Sequence, residues 1–296
     1  MAKKRGRTGA KGRRRPRTIG TELSKLKRRF VASLWGAIML FVLYFVGRYV
    51  ALDVYSADKS RRESMEVSML EEVHFPAGVD NMKVVYKGFT VYFNSRYHVP
   101  NCVIYELTGK ETEGKFPRYK NFMTDEQVPG CANPWDYTHS GYTRGHMAPA
   151  ADMKWDREVM KESFYMTNIC PQKAALNSGG WNKLEDKVRD WARRDSSLIV
   201  ASGPVLTEGM STIGESRVAV PEHFFKVVMA PFVDPPRAIA FIYPNGSSKG
   251  AIKKYAVTVD EVERLTGIDF FPGLDDDAEA ELESGINLLQ WELSGR

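Results

Sequence analysis

Between Phe30 and Gly47 the chain runs 18 residues, FVASLWGAIMLFVLYFVG, without a charged side chain. With the Arg48 head reaching outward, the apolar stretch continues through Leu52. At about 1.5 Å per residue a helix of that length spans a hydrocarbon core of about 30 Å. A helix packed on a domain core carries a polar stripe, and this segment has none. The sequence therefore predicts a transmembrane helix over 30–52. A cleavable signal peptide cut near Val54-Tyr55-Ser56 is the competing reading, but the apolar region of such peptides is shorter, about 7–15 residues. Nine Lys/Arg precede the span from Lys11 to Arg29, and four follow it at Arg48, Lys59, Arg61 and Arg62. That bias keeps the amino terminus in the cytoplasm. The remainder is expected outside it, in the periplasm if the cell is a two-membrane bacterium.

The formal charge of +5 invites a polyanion-binding reading, but its distribution argues otherwise. Residues 1–29 hold 13 Lys/Arg against Glu22 alone, and the other 267 residues hold 29 basic and 36 acidic side chains, a net of −7. The basic character thus belongs to a low-complexity tail suited to anionic headgroups, with nucleic acid the weaker partner. Any polyanion bound by the rest needs a local site. A 43% apolar composition excludes wholesale disorder. Three cysteines, Cys102, Cys131 and Cys170, exclude a disulfide framework and a structural zinc site. They read as buried free thiols, with a single Cys102–Cys131 bridge as the alternative in an oxidising compartment.

Residues 53–71 are polar and charged, as in a linker. From Glu72 short apolar or alternating runs at 83–86, 89–93, 103–107, 197–202, 224–230 and 238–243 predict strands separated by turn residues. Helical spacing occupies 156–162, 180–194 and 259–266. Strands and helices interleave without a regular βα repeat, so the expected class for 72–273 is α+β with a mainly antiparallel sheet flanked by helices. The acidic stretch 274–296 reads either as one amphipathic helix packing Ile286, Leu289 and Trp291 or as a solvated tail.

Two clusters carry residues capable of chemistry. Histidine occurs only at 74, 98, 139, 146 and 223, and His146 sits in Ser140-Gly-Tyr-Thr-Arg-Gly-His-Met-Ala-Pro-Ala-Ala-Asp152. There Gly141 and Gly145 free the backbone. On a strand Arg144 and His146 share a face, which pairs a fixed cation with a base of pKa near 6.5. An Arg-x-His pair in a loop is also a common structural device. The second cluster runs from Phe164 to Glu185 and includes Asn168, Pro171, Gln172, Asn177 and Trp181. Trp181, Leu184, Val188 and Trp191 follow the spacing of a helix on a core. Asn177 falls at its entrance and Glu185 about two turns in, displaced by about 80° around the axis. From spacing alone Asn177 is equally an N-cap and Glu185 a solvated helix residue.

Taken together, the clusters resemble the DNA/RNA non-specific endonuclease family of the ββα-metal superfamily, to which mitochondrial endonuclease G belongs. Thr143-Arg144-Gly145-His146 is similar to the family's Asp-Arg-Gly-His signature, and Met-Ala-Pro is its usual continuation. The run from Asn168 through Asn177 and Trp181 to Glu185 resembles the family's metal segment at the same spacing. Arg118-Tyr-Lys-Asn-Phe122 with Asp125 resembles its first arginine motif, and the likeness covers roughly 80–270.

The resemblance implies a ββα-metal nuclease fold, and an enzyme that hydrolyses phosphodiester bonds of DNA and RNA through backbone contacts, leaving 5′-phosphate ends. It makes His146 the general base and Asn177 the direct ligand of Mg²⁺, or alternatively Mn²⁺, with Glu185 holding a metal water. Arg144 and Arg118 become phosphate clamps and Asn168 an orienting residue; a homodimer is a family option. The departure is Thr143 in place of Asp. A carboxylate that only braces the turn is replaceable by a hydroxyl, whereas one that tunes the histidine or pairs with an arginine is not. Thr143 therefore also admits a non-catalytic nucleic-acid-binding module. A third reading makes Cys170 a nucleophile with His146 as its base.

Overall fold

The computed structural model describes residues 69–293 and part of 27–48, and the chain divides into two units, Met1–Glu63 and Ser64–Arg296. In the first unit the described positions between 27 and 48 are helical, and apolar side chains such as Phe30, Trp35 and Leu40 are exposed. Among the described residues no helix is long and apolar enough to cross a membrane. The expected span 30–52 lies partly outside the described residues. So do most of the tail 1–29 and of the linker 53–71.

In the second unit the strands in chain order are β1 (Val73–His74), β2 (Met82–Val85), β3 (Thr90–Asn94), β4 (Val99–Thr108), β5 (Thr143–His146), β6 (Ile169–Gln172) and β7 (Ser197–Val205). They continue as β8 (Thr212–Ile213), β9 (Val218–Ala219), β10 (His223–Ala230), β11 (Arg237–Pro244), β12 (Ala256–Val257) and β13 (Asp269–Phe270). The α-helices are α1 (Arg157–Glu162), α2 (Asn182–Asp195), α3 (Val259–Thr266) and α4 (Asp276–Ser284). Seven strands form one sheet in the order β12-β11-β10-β7-β4-β3-β2, antiparallel at every pairing. The class is thus α+β with a central antiparallel sheet.

Every residue of β7 is buried. Leu198 and Val200 enter one core while Ile199 and Ala201 enter another. Period-two alternation with apolar residues on both sides requires a cover on each face of the sheet. On one face lies α2, with Leu184, Val188 and Trp191 turned inward beside Trp181. On the other lie α3 and α4, through Val259, Val262 and Leu282. Asp156 caps α1 through the Glu158 and Val159 amides, and Thr258 caps α3 through the Glu261 amide. Gly267, at φ +72°, closes α3 in the left-handed conformation that favours glycine.

Here the free-thiol reading holds against the bridge, and the single-helix reading of the acidic segment fails. Cys102 lies in the core beneath one sheet face and Cys131 packs against the core on the other, so the sheet separates the thiols and both are free. The acidic segment does not form one helix to residue 293. Gly285 ends α4, leaving Leu289 exposed, while Trp291 alone is buried, edge-on to Trp191 at 4.7 Å.

Candidate active site

Strands β5 and β6 pair antiparallel, Thr143 opposite Gln172 and His146 opposite Ile169, outside the large sheet. With α2 following, they make a ββα unit. Gly145 is required for space rather than for a turn: a Cβ there would stand 2.1 Å from Gln172 Oε1, which crosses the strand at that point. The backbone freedom expected of it is needed at Gly141 instead, where φ is +80°.

His146 ends β5, only 7% exposed. Asn168, fully buried, fixes the chain just beyond it. Its Oδ1 accepts the Ala148 amide at 2.8 Å and its Nδ2 donates to the Ala148 and Ser163 carbonyls at 2.9 Å. The imidazole meets Phe164 edge-on at 4.9 Å and Phe122 at 5.4 Å. Phe122 reaches it because Met123 donates its amide to the Phe164 carbonyl and accepts that of Met166, locking two distant segments side by side. Burial, with the Arg118 charge second, pushes the imidazole down to about 3. His146 is therefore neutral at pH 7, and its buried Nε2 has no hydrogen-bond partner among the described residues.

The same two rings carry the arginines. Arg144 lies over Phe122 at 5.3 Å and over Tyr137 at 5.6 Å, and donates to the Pro134 carbonyl. Exposed Arg118 lies over Phe164 at 5.1 Å. One base and two cations thus share a single aromatic seat, with cation–π contacts holding the guanidinium planes.

Asn177 is tied to the same ribbon. Its Nδ2 donates to Thr143 Oγ1 at 2.9 Å, and that hydroxyl donates to the Gln172 carbonyl at 2.9 Å. This chain fixes the amide's orientation and leaves Asn177 Oδ1 without a hydrogen bond among the described residues. The expected angle of about 80° along one helix does not apply. The turn Leu176–Trp181 breaks at Gly179 (φ −108°, ψ −111°) before α2 begins, and Asn177 is not its cap.

Glu185, on α2, is half-buried above charges that spacing did not reveal. Lys226, 1% exposed, donates to Ser202 and lies 4.7 Å over the Trp181 ring. Buried Asp152 accepts from Arg189 at 2.6 Å and from the Tyr105 hydroxyl at 2.8 Å. Burial pushes Glu185 up and Lys226 down, while the opposite charge of each resists the shift. Asn177 and Glu185 are hard oxygen donors, which suit Mg²⁺ or Mn²⁺ and lack the nitrogen and sulfur zinc prefers. Cys170 is fully buried, and desolvation pushes its thiol well above the ordinary range. That rules against a thiolate nucleophile.

The family resemblance singled out His146, Arg144 and Asn177, which the fold gathers at one ribbon, but not the seat formed by Phe122 and Phe164, nor Lys226, Asp152 and Arg189. The last three sit on separate elements, and of them Lys226 alone carries a clear sequence signal, a charge inside the apolar run Phe224-Phe-Lys-Val-Val228.

The fold and this constellation define a class, the ββα nucleases. The family model for DNA/RNA non-specific endonucleases matches residues 66–277, and the chain belongs to that family of hydrolases. It is 34% identical to the mitochondrial nuclease EXOG of Mus musculus over 245 residues, 75% of this chain and 66% of that one. It is 34% identical to the mitochondrial endonuclease G of Homo sapiens over 204 residues, 64% of this chain and 69% of that one. To the nuclease of Serratia marcescens it is 33% identical over 229 residues, 72% and 83% of the two chains. The chain spans just under two thirds of the length of the EXOG relatives, 66% in mouse and 62% in human. A solved structure of an EndoG/EndoGI complex matches with a TM-score of 0.61 and 28% identity, over 66% of this chain and 87% of that chain.

Proposed function

We propose that the chain is a divalent-metal-dependent endonuclease that hydrolyses phosphodiester bonds of DNA and RNA with little sequence preference. The observation that carries this reading is a neutral imidazole with an unpartnered Nε2 and two guanidiniums on one aromatic seat, beside an amide whose carbonyl is left free. Arg144 and Arg118 hold the scissile phosphate. His146 takes a proton from the attacking water. A bound phosphate offsets the Arg118 charge and moves the histidine back toward a useful basicity. Asn177 would hold Mg²⁺ directly and Glu185 through a water, with Lys226 opposing the burial that pushes that carboxylate up. When bound, the ion neutralises phosphate charge and stabilises the leaving oxygen. Asn168 keeps the turn after His146 in place. Thr143 orients Asn177 and among the described residues makes no hydrogen bond to the histidine or to an arginine, so a hydroxyl serves there and the departure from Asp does not argue for a non-catalytic module.

The 18 uncharged residues and the positive bias before them support a single-pass anchor over 30–52, with residues 72–273 held outside the cytoplasm. The test of function is incubation of the purified chain with plasmid and with single-stranded RNA, in Mg²⁺ and in EDTA. Degradation of both only with metal is expected. Retained nucleic-acid binding without degradation would instead assign a binding module, and cleavage in EDTA would remove the metal.

A further inference from the structure

A second set of carboxylates lies on the opposite face of the sheet. Asp260 and Glu263 project from α3 and Glu283 from α4, with one oxygen of each within 4.8 Å of the others. Glu283 is 3% exposed, and its Oε1 is buried with no hydrogen-bond partner. Asp269 and Glu279 stand close by, and with burial these four neighbours push Glu283 up to about 9. Among the described residues no lysine or arginine pairs with any of the three. A buried carboxylate surrounded by like charge is unfavourable unless a cation or a proton neutralises it.

We propose that Asp260, Glu263 and Glu283 bind one Ca²⁺ ion that staples α4 to α3, at a site separate from the nuclease centre. The donor set favours calcium: the three side chains offer only hard carboxylate oxygens, and Mg²⁺ dehydrates reluctantly and demands near-ideal octahedral geometry. Calcium also tolerates the irregular geometry that two helices present, and water completes the shell on the side of exposed Asp260. The glutamates are engaged unequally, since Glu263 Oε1 already accepts the Phe270 amide at 2.8 Å. The ion therefore also steadies β13, which pairs with β1. Glu283 lies beyond the family match at 66–277 whereas Asp260 and Glu263 lie inside it, so the site joins α4 to a helix within the matched region.

The test is calcium-induced thermal stabilisation of the full chain carrying Asn177→Ala, which takes the proposed catalytic ligand out of the comparison. CaCl₂ is expected to raise Tm by about 5 °C at 10 mM, half-maximally between about 0.1 and 1 mM. Adding Glu283→Gln should abolish that rise and lower bound calcium by one ion per chain in equilibrium dialysis. Should that variant fail to fold, Asp260→Asn at an exposed position carries the same comparison with at least a tenfold weaker response. A calcium response unchanged by either substitution overturns the site. So does no response in the parent, which would leave a shared proton as the neutralising partner.

Discussion

At the scale of single residues the account depends on how His146 and Asn177 are held. Among the described residues Thr143 Oγ1 is the only group that fixes the Asn177 amide from the ribbon. Thr143→Val should therefore raise the Mg²⁺ needed for half-maximal cleavage by about 10–100-fold, the usual cost of losing a group that orients a ligand. Thr143→Ser should stay near the parent, and an unchanged metal titration in the valine variant would remove Thr143 from this role. The histidine makes a pH prediction with a definite sign. Its folded pKa, about 3, lies below the ordinary 6.5 because burial and Arg118 disfavour the charged ring. The stability this contributes is complete above pH 6.5 and is lost as pH falls toward 3. His146→Gln should flatten that part of the denaturant midpoint against pH; an unaltered slope would show that other groups carry it. Arg118→Gln should move the acid limb of kcat/KM upward in pH, because one of the two depressing causes is gone.

At the scale of elements, the proposed function depends on the ribbon of β5 and β6 with α2 behind it, and the ribbon's interior tolerates little. Gly145→Ala should cost about 1–3 kcal/mol, as overpacking does, because Gln172 lies where the methyl must go. Gln172→Ala in the same chain should recover most of that loss in urea unfolding, and equal losses in the single and double variants would contradict the contact. Much of this scale was legible in the sequence. The strands expected at 197–202, 224–230 and 238–243 and the helices at 180–194 and 259–266 appear within a few residues, because buried alternation and helical spacing are local signals. What was not legible depends on distant partners. Phe122 joins the site only through hydrogen bonds between Met123 and the 164–166 segment. Lys226 reads in sequence as a polar interruption of β10, and only the antiparallel pairing of β10 with β7 places its ammonium at Ser202. Of the two readings of the acidic stretch 274–296 the single helix fails at Gly285, a stop that an acidic composition does not announce.

At the scale of the whole molecule, charge is segregated, with 13 basic residues in the first 29 and a net of −7 over the rest. Affinity for nucleic acid then comes from the local arginine seat. Binding should weaken steeply with salt even though the domain is acidic overall. Deleting residues 1–52 should transfer the protein from the membrane fraction to the soluble fraction while cleavage per molecule stays within about threefold. Continued sedimentation with membranes would place the anchor elsewhere. The most direct measurement of the central claim is the cleavage rate of plasmid by His146→Ala beside the parent chain, at saturating Mg²⁺. The account predicts a fall of about 10²–10⁴-fold in kcat, the range for loss of a general base, with the Mg²⁺ midpoint unmoved. A variant within tenfold of the parent would contradict it.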